Sequence, residues 1–216
     1  MPSIAYGNFN RNIKQVDKLL EIYEEKKSPN RGRKYLDHFT RAALIFLCST
    51  WEVYIEQIAQ EVAKIMTCKF ESPDELPKEV RKTLSRVVKN SSHELEPIKI
   101  AKDWKNYYLK EVEIRTSQIN TPKKQIILEL FHKYLGFGGD VVHSHVPKLD
   151  EINEIVGARG AIAHNVFAEE YLSSNLVKEY YDTIVGTVKE IEIMFWDVLP
   201  EITDNKRPWQ NTYKNQ

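Results

Sequence analysis

Arginine and histidine suit the chemistry of a phosphodiester. The chain places one of each in Arg159-Gly160-Ala161-Ile162-Ala163-His164-Asn165, with four residues between them. A guanidinium can hold two phosphate oxygens at once. An imidazole, with an unperturbed pKa of about 6.5, can take up or release a proton near neutrality. The bare spacing is weak, because Arg33 and His38 repeat it, while Arg31 and His38, and Arg86 and His93, stand with six residues between them. Context separates the pairs. Arg159 and His164 bracket small residues late in the chain, where close helix packing at a bundle seam is expected, whereas Arg33 and His38 straddle a loop and a helix start. On an ideal helix, positions five apart are rotated by about 140° and separated by about 7.5 Å along the axis. For the two to cooperate, Arg159 must curl back or the helix must distort, and Gly157 and Gly160 make a local break the expectation.

Other chemistry-bearing residues are weaker candidates. His132, Asp140, His143 and His145 form the one metal-like grouping, with His143 and His145 alternating as two ligands of an extended segment would. The spacing matches no structural zinc pattern and no cysteine pair accompanies it, so a glycine-flanked polar loop is the better reading and no metal is expected. Glu52 and Glu56 stand one turn apart, either as an exposed carboxylate pair or with Glu52 orienting His164 or Arg159. No phosphate-binding loop, dinucleotide fingerprint or Ser-His-Asp signature is present, and no cofactor is expected.

The elements that must position these residues read as helices. Ile13, Val16, Leu19, Leu20 and Tyr23 recur at three and four, which predicts a helix over 12–26, and Pro29 and Gly32 break the chain at 28–33. The strongest signal runs over 35–66. Its segment 42–48 is apolar all round, which places it inside a bundle or at an oligomer interface. Ser72, Pro73 and Asp74 mark a turn and a helix start, with a short helix over 78–89. Residues 95–119 show a mixed helical pattern without clear bounds. Asn120-Thr121-Pro122 reads as a start signal for a helix over 123–135, ended by Gly136, and 141–147 reads as a loop. Helical pattern returns from Leu149 to Ala163 and again over 174–198, and the tail from Thr203 is polar and expected to be mobile. The pattern contains no convincing strand and no repeat, so the expected fold is an all-α, up-and-down bundle. The expected division is one domain over 1–202 and a tail over 203–216.

Composition narrows the classes. With 216 residues, 42% hydrophobic and 29% charged, the chain can bury a sizeable core, and eight glycines are few for a turn-rich β protein. A formal net charge of zero removes the simplest argument for a nucleic-acid binder, so any such contact must come from local patches. One is 78–110, with nine basic residues against four acidic ones; the other is 26–41. Both patches also read as solvated helix faces. Two cysteines give no disulfide framework and suggest a reducing compartment. The first residues lack the apolar core of a secretory signal, and Ala42–Cys48 is too short to span a bilayer. A cytoplasmic protein without membrane contact is expected.

Residues 159–165 resemble the R-x4–6-H signature of HEPN domains. Two further segments resemble the stand-alone bacterial branch called RiboL-PSP-HEPN: Ser49-Thr50-Trp51-Glu52-Val53-Tyr54-Ile55-Glu56, and Asn120-Thr121-Pro122-Lys123 followed by Leu130-Phe131 and Leu135-Gly136. The resemblance spans roughly Tyr35 to Trp196. It implies a helical bundle that forms a two-fold dimer, and many HEPN proteins are RNases of toxin–antitoxin or phage-defence systems. Arg159 and His164 fall on the signature positions, while Gly160 stands where active members often carry Asn, Asp or His. Cleavage through the 2′-hydroxyl needs a base, an acid and positive charge at the phosphorus, and a two-fold dimer brings two imidazoles to one axis. The implied function is a metal-independent endoribonuclease, a toxin or defence effector, with Glu52 and Asn165 in support. RNA contacts are expected at Lys99, Lys102, Lys105, Lys123 and Lys124, and an antitoxin or other defence-module protein is the expected partner. The alternatives are a non-catalytic HEPN module binding RNA, a nucleotide or a nucleotidyltransferase antitoxin, and a purely structural scaffold.

Overall fold

The computed structural model describes residues 2–27, 36–164, 172–203 and 208–209. The bundle is built around one long helix, α3 (Asp37–Lys69), whose 33 residues include no glycine or proline. Two shorter helices, α1 (Ile4–Asn12) and α2 (Lys14–Lys26), pack against it from the N-terminal side. The helix expected over 12–26 is therefore the second of a pair hinged at Ile13. Next come α4 (Lys78–Asn90), α5 (Glu96–Lys102), α6 (Trp104–Ser117) and α7 (Lys124–Leu130). α8 (Gly139–His145), α9 (Ile152–His164) and α10 (Ser174–Ile202) complete the order, and the described residues contain no strand. The all-α expectation holds. The break expected at 28–33, the competing Arg31 and Arg33, Asn165 and most of the polar tail lie outside the described residues.

α3 touches α1, α2, α6, α9 and α10, and its apolar positions are spaced to meet neighbours on nearly every side. Trp51, Tyr54, Ile55, Ile58, Val62 and Met66 are all buried. By length and composition it could cross a bilayer, but 56% of its apolar window is buried inside the fold, as befits the central helix of a bundle. Within the all-apolar segment, Ala43, Leu44, Leu47 and Cys48 face the core, whereas Ile45 and Phe46 stand exposed. A second aromatic layer sits where Phe195 of α10 meets Phe131 and Phe137 edge-on, with ring centroids 5.1 and 5.4 Å apart.

Polar anchors tie α1 into this core. Ser3 caps it by accepting from the Tyr6 N–H (2.9 Å), and the Glu61 carboxylate accepts the N–H groups of Ile4 and Ala5 (3.0 Å each). Ser3 Oγ also donates to Glu192 of α10 (2.6 Å), which accepts from Tyr54 OH as well (3.0 Å). Burial pushes the Glu192 carboxyl up to about 7, against the lowering effect of those hydrogen bonds.

Three sequence expectations are corrected. Residues 139–145 form a helix rather than part of a loop, with the N–H of Val142 bonded to Gly138 O (3.2 Å) and that of Val146 to Val142 O (2.8 Å). Asn120-Thr121-Pro122 does not cap the following helix: Lys123 holds the cap position and makes no side-chain cap bond. The helix expected to run to 135 widens into a π-helical turn over Phe131–Leu135 and stops at Gly136, which adopts the left-handed conformation (φ 83°). The Tyr108 hydroxyl donates to the carbonyl of Tyr134 in that turn (2.6 Å). A Cβ at position 136 would collide with the Pro77 ring. The sequence pattern alone carried the stop at Gly136 but not the widened turn, because a single five-residue π turn is too short to show a changed apolar period. In the tail, Trp209 packs on the core and its carbonyl accepts from Trp196 Nε1 (3.0 Å).

Candidate active site on α9

α9 is held at its start and open toward its end. Ile152, Ile155 and Val156 are buried; Asn153 accepts from the Lys124 N–H (3.1 Å), and Glu154 accepts from Tyr180 OH (2.9 Å). The Cys48 thiol of α3 lies 4.0 Å from the Ile155 carbonyl. Beyond this anchored turn the helix reaches His164 without interruption. The break expected at the glycines is absent. Ala158 and Ile162 pack against the core, but a Cβ built on Gly157 or Gly160 would meet no atom of the described residues within 4 Å. Ala161 is exposed, as are Ile45 and Phe46 on α3.

Arg159 is half-buried where α9 lies against α3. Burial drives the Cys48 thiol up to about 12; the charge of Arg159 works against that rise and the charge of Glu52 adds to it. Both charged groups therefore lie near Cys48, which stays protonated and is no nucleophile. Arg159 nevertheless makes no ion pair among the described residues. Glu52 is engaged elsewhere: its carboxylate accepts the Thr121 N–H. One residue earlier on α3, Trp51 Nε1 donates to the Pro122 carbonyl (3.1 Å). These two bonds clamp the 120–122 loop onto α3 and hold Thr121 at a positive φ of 46°, a conformation disfavoured for a β-branched residue.

The clamp joins the two segments that the sequence singled out, Trp51-Glu52 and Thr121-Pro122, and assigns Glu52 a structural bond that sequence reading missed. The signal was the indole and carboxylate in adjacent positions, facing a loop with a backbone N–H free of helix bonding. Asp37, not singled out, accepts the Leu172 N–H (3.3 Å) and pairs with Arg41. It therefore ties Leu172, just before α10, to the start of α3.

The expected RNA-contact lysines divide. Lys124 pairs with Asp150 (2.6 Å) and Lys99 with Glu96 (3.0 Å). Lys105 lies over the Trp104 ring (5.6 Å to its centroid), whereas Lys102 and Lys123 are exposed. The histidine grouping does not assemble as an extended pair of ligands. His143 and His145 lie on α8, each with Nδ1 against a main-chain carbonyl, Gly139 O (2.6 Å) and Val141 O (2.8 Å). No three metal-ligating side chains converge among the described residues.

The bundle thus carries an arginine and a histidine with four residues between them on one late helix, and a Trp-Glu clamp on the central one. Residues 10–197 match the model of the RiboL-PSP-HEPN family, and the chain belongs to that family. Membership associates it with RNA-related, ribonuclease-like function. Neither a curated protein nor a solved structure matches the chain.

Proposed function

We propose that the protein is a metal-independent endoribonuclease with Arg159 and His164 as its catalytic residues. The observation that carries this reading is the state of Arg159: a half-buried guanidinium with no ion-pair partner among the described residues, on the same helix as His164 and beside open space at Gly160. A partly desolvated cation left without a carboxylate is costly unless an anion completes it, and a phosphodiester is the anion that the family's chemistry supplies.

In the proposed reaction the RNA 2′-hydroxyl attacks phosphorus while one imidazole takes its proton. The P–O5′ bond breaks, a second imidazole protonates the departing oxygen, and a 2′,3′-cyclic phosphate remains. Arg159 holds the non-bridging oxygens, whose charge rises in the transition state. On an uninterrupted helix the two positions are rotated by about 140°, so one protomer is poorly arranged to supply the whole site. A two-fold dimer across the exposed Ile45, Phe46 and glycine face of α9 would bring two copies of each residue together. Glu52 acts through the 120–122 loop, and Asn165 supports the site. The protein is proposed to act in the cytoplasm as a toxin or defence effector, restrained by an antitoxin or another protein of its module.

The test is incubation of purified protein with total RNA in EDTA, beside a His164→Ala control. Cleavage ending in 2′,3′-cyclic phosphate, lost in the control, is the expected result. Strict dependence on a divalent metal, or full activity in the control, would refute the assignment. Gly160, standing where active relatives often carry a polar residue, favours a second reading: a HEPN module that binds RNA without cutting it. Tight binding of RNA by the wild type with no cleavage in the same assay would select that reading.

A further inference from the structure

We infer that the outer face of α4 is a docking track for the phosphate backbone of single-stranded RNA, separate from Arg159 and continued by Arg115 on α6. Val80 and Leu84 bury one face of α4. Every fully exposed residue on the helix is cationic or small and polar: Lys78, Arg81, Lys82, Arg86 and Lys89, with Ser85 and Asn90 between them. They line one open cleft of about 560 Å³. The positions recur at three and four residues, so the charges form a stripe about 16 Å long, at about 1.5 Å of rise per residue. Glu79 is the helix's one carboxylate, and it pairs with Lys82 (2.7 Å). The other four cations make no ion pair among the described residues.

Arg86 and Asn90 also line a neighbouring groove of about 660 Å³ between α4, α6 and the π turn. There Lys133 is paired with Glu129 (2.9 Å) and Glu96 with Lys99 (3.0 Å), Glu111 also lines the groove, and Arg115 is half-buried and forms no ion pair among the described residues. The Tyr134 ring offers a surface on which a base can stack. Arg86 and Arg115 thus carry positive charge from the helix surface into a groove of mixed charge.

The exposed face of α4 itself lacks what a protein partner needs, while at its edge Arg81, Ser85 and Lys89 border an apolar cleft of about 370 Å³ that Leu84, Val88, Pro97 and Ile100 also line. Protein interfaces are anchored by buried aromatic and aliphatic side chains, and no such side chain is exposed on α4. A single-sign, anchor-free stripe fits a partner that offers repeated phosphates and no pocket-filling groups. The chain as a whole is neutral. The charge that balances α4 lies partly in the cleft between α2 and α10, where Asp17, Glu21, Glu24 and Asp182 face one lysine, Lys178. The molecule is therefore polarised by placement, not by composition.

The choice of RNA as the polyanion rests on the proposed function, so the test separates the two. Full-length His164→Ala protein is titrated into a fluorescein-labelled single-stranded RNA 20-mer by anisotropy, from 50 to 200 mM salt, a range chosen at about the span over which phosphate binding is read. The same titration is run with Arg81→Gln/Arg86→Gln/Lys89→Gln and, separately, Arg115→Gln added. These changes touch exposed or half-buried charges, and circular dichroism melting checks that the bundle is intact. The triple change is expected to weaken binding at least tenfold and to flatten the slope of log affinity against log salt by about 2, at about 0.7 for each phosphate no longer neutralised. Arg115→Gln is expected to flatten it by less than 1. Unchanged affinity and slope in both variants, or no binding by the His164→Ala protein at 50 mM salt, overturns the inference even if wild-type protein cleaves RNA in EDTA. A flattened slope without any cleavage by the wild type leaves the track standing and removes the nuclease. If the α4 changes alter self-association in sedimentation but not RNA binding, the face belongs to an interface with another copy and the inference falls.

Discussion

Glu192 and Arg159 are both taken from water by the same central helix, and the fold treats them in opposite ways. Around Glu192, Ser3 and Tyr54 fill the carboxylate's acceptor sites, and the group is fully buried. Around Arg159 the neighbouring carboxylate, Glu52, is turned to Thr121, and the open side of α9 carries glycine and alanine. One region spends its polar groups on holding helices together. The other leaves a guanidinium with no ion pair among the described residues, as the proposed anion site requires.

The sharpest way to break this comparison is to delete the charge at each place. Arg159→Ala and His164→Ala are each expected to lower RNA cleavage by at least about 100-fold, with thermal unfolding midpoints near wild type. Arg159→Lys should not restore activity, because an ammonium cannot make the two-point phosphate contact. An Arg159 variant that unfolds rather than merely losing activity would put it in the same class as Glu192. The wild-type rate should be bell-shaped in pH, since one imidazole must be neutral while the other is charged.

Trp51→Ala tests the clamp that separates the two regions. It removes a fully buried indole and leaves the Pro122 carbonyl without its donor, so a loss of about 3–5 kcal/mol in denaturant unfolding is expected. A loss below about 1 kcal/mol would show that the clamp is not made in solution.

Glu192 makes stability depend on pH with a defined sign. Its carboxyl titrates near 7 in the fold against 4.5 as a free group, so the folded state holds a proton that the unfolded chain has lost. The stabilisation is complete below 4.5, falls as pH rises through about 7, and amounts to roughly 3 kcal/mol. Unfolding midpoints followed from pH 5 to 8 should decline, and Glu192→Gln should flatten that decline; an equal slope in the variant would assign it to other groups. The smallest effect is at Gly160, where added Cβ volume meets open space. Gly160→Ala should stabilise α9 by up to about 1 kcal/mol, while weakening any dimer that packs there. Sedimentation showing an unchanged dimer would move the two-fold contact elsewhere.

Fold class was legible because helical periodicity is written in apolar spacing, and α3 and α10 lie close to where that spacing puts them. Positions 120–122 show what spacing cannot carry. Proline and a cap-type residue announce a helix start, yet the loop's conformation is set by Trp51 and Glu52, about seventy residues away in sequence. The 141–147 segment misled for a related reason. Glycines before it and a proline after it read as a loop, while burial of Val142 and Val146 against the bundle settles the helix. At the candidate site, residue types and spacing picked out Arg159, but that Glu52, the carboxylate near it, is drawn to Thr121 could not be read from them.

The bond between Ser3 and Glu192 spans 189 residues, and that between Tyr54 and Glu192 spans 138. A ribosome makes Ser3 189 residues before Glu192. At about 5–20 residues per second, the 138 residues between Tyr54 and Glu192 take roughly 7 to 28 seconds, during which the Tyr54 hydroxyl lacks its final acceptor. The early helices can associate in that interval, but the core cannot close over Tyr54 until α10 has been translated and released. A chain cut short before α10 therefore lacks the acceptor that joins its first and third helices.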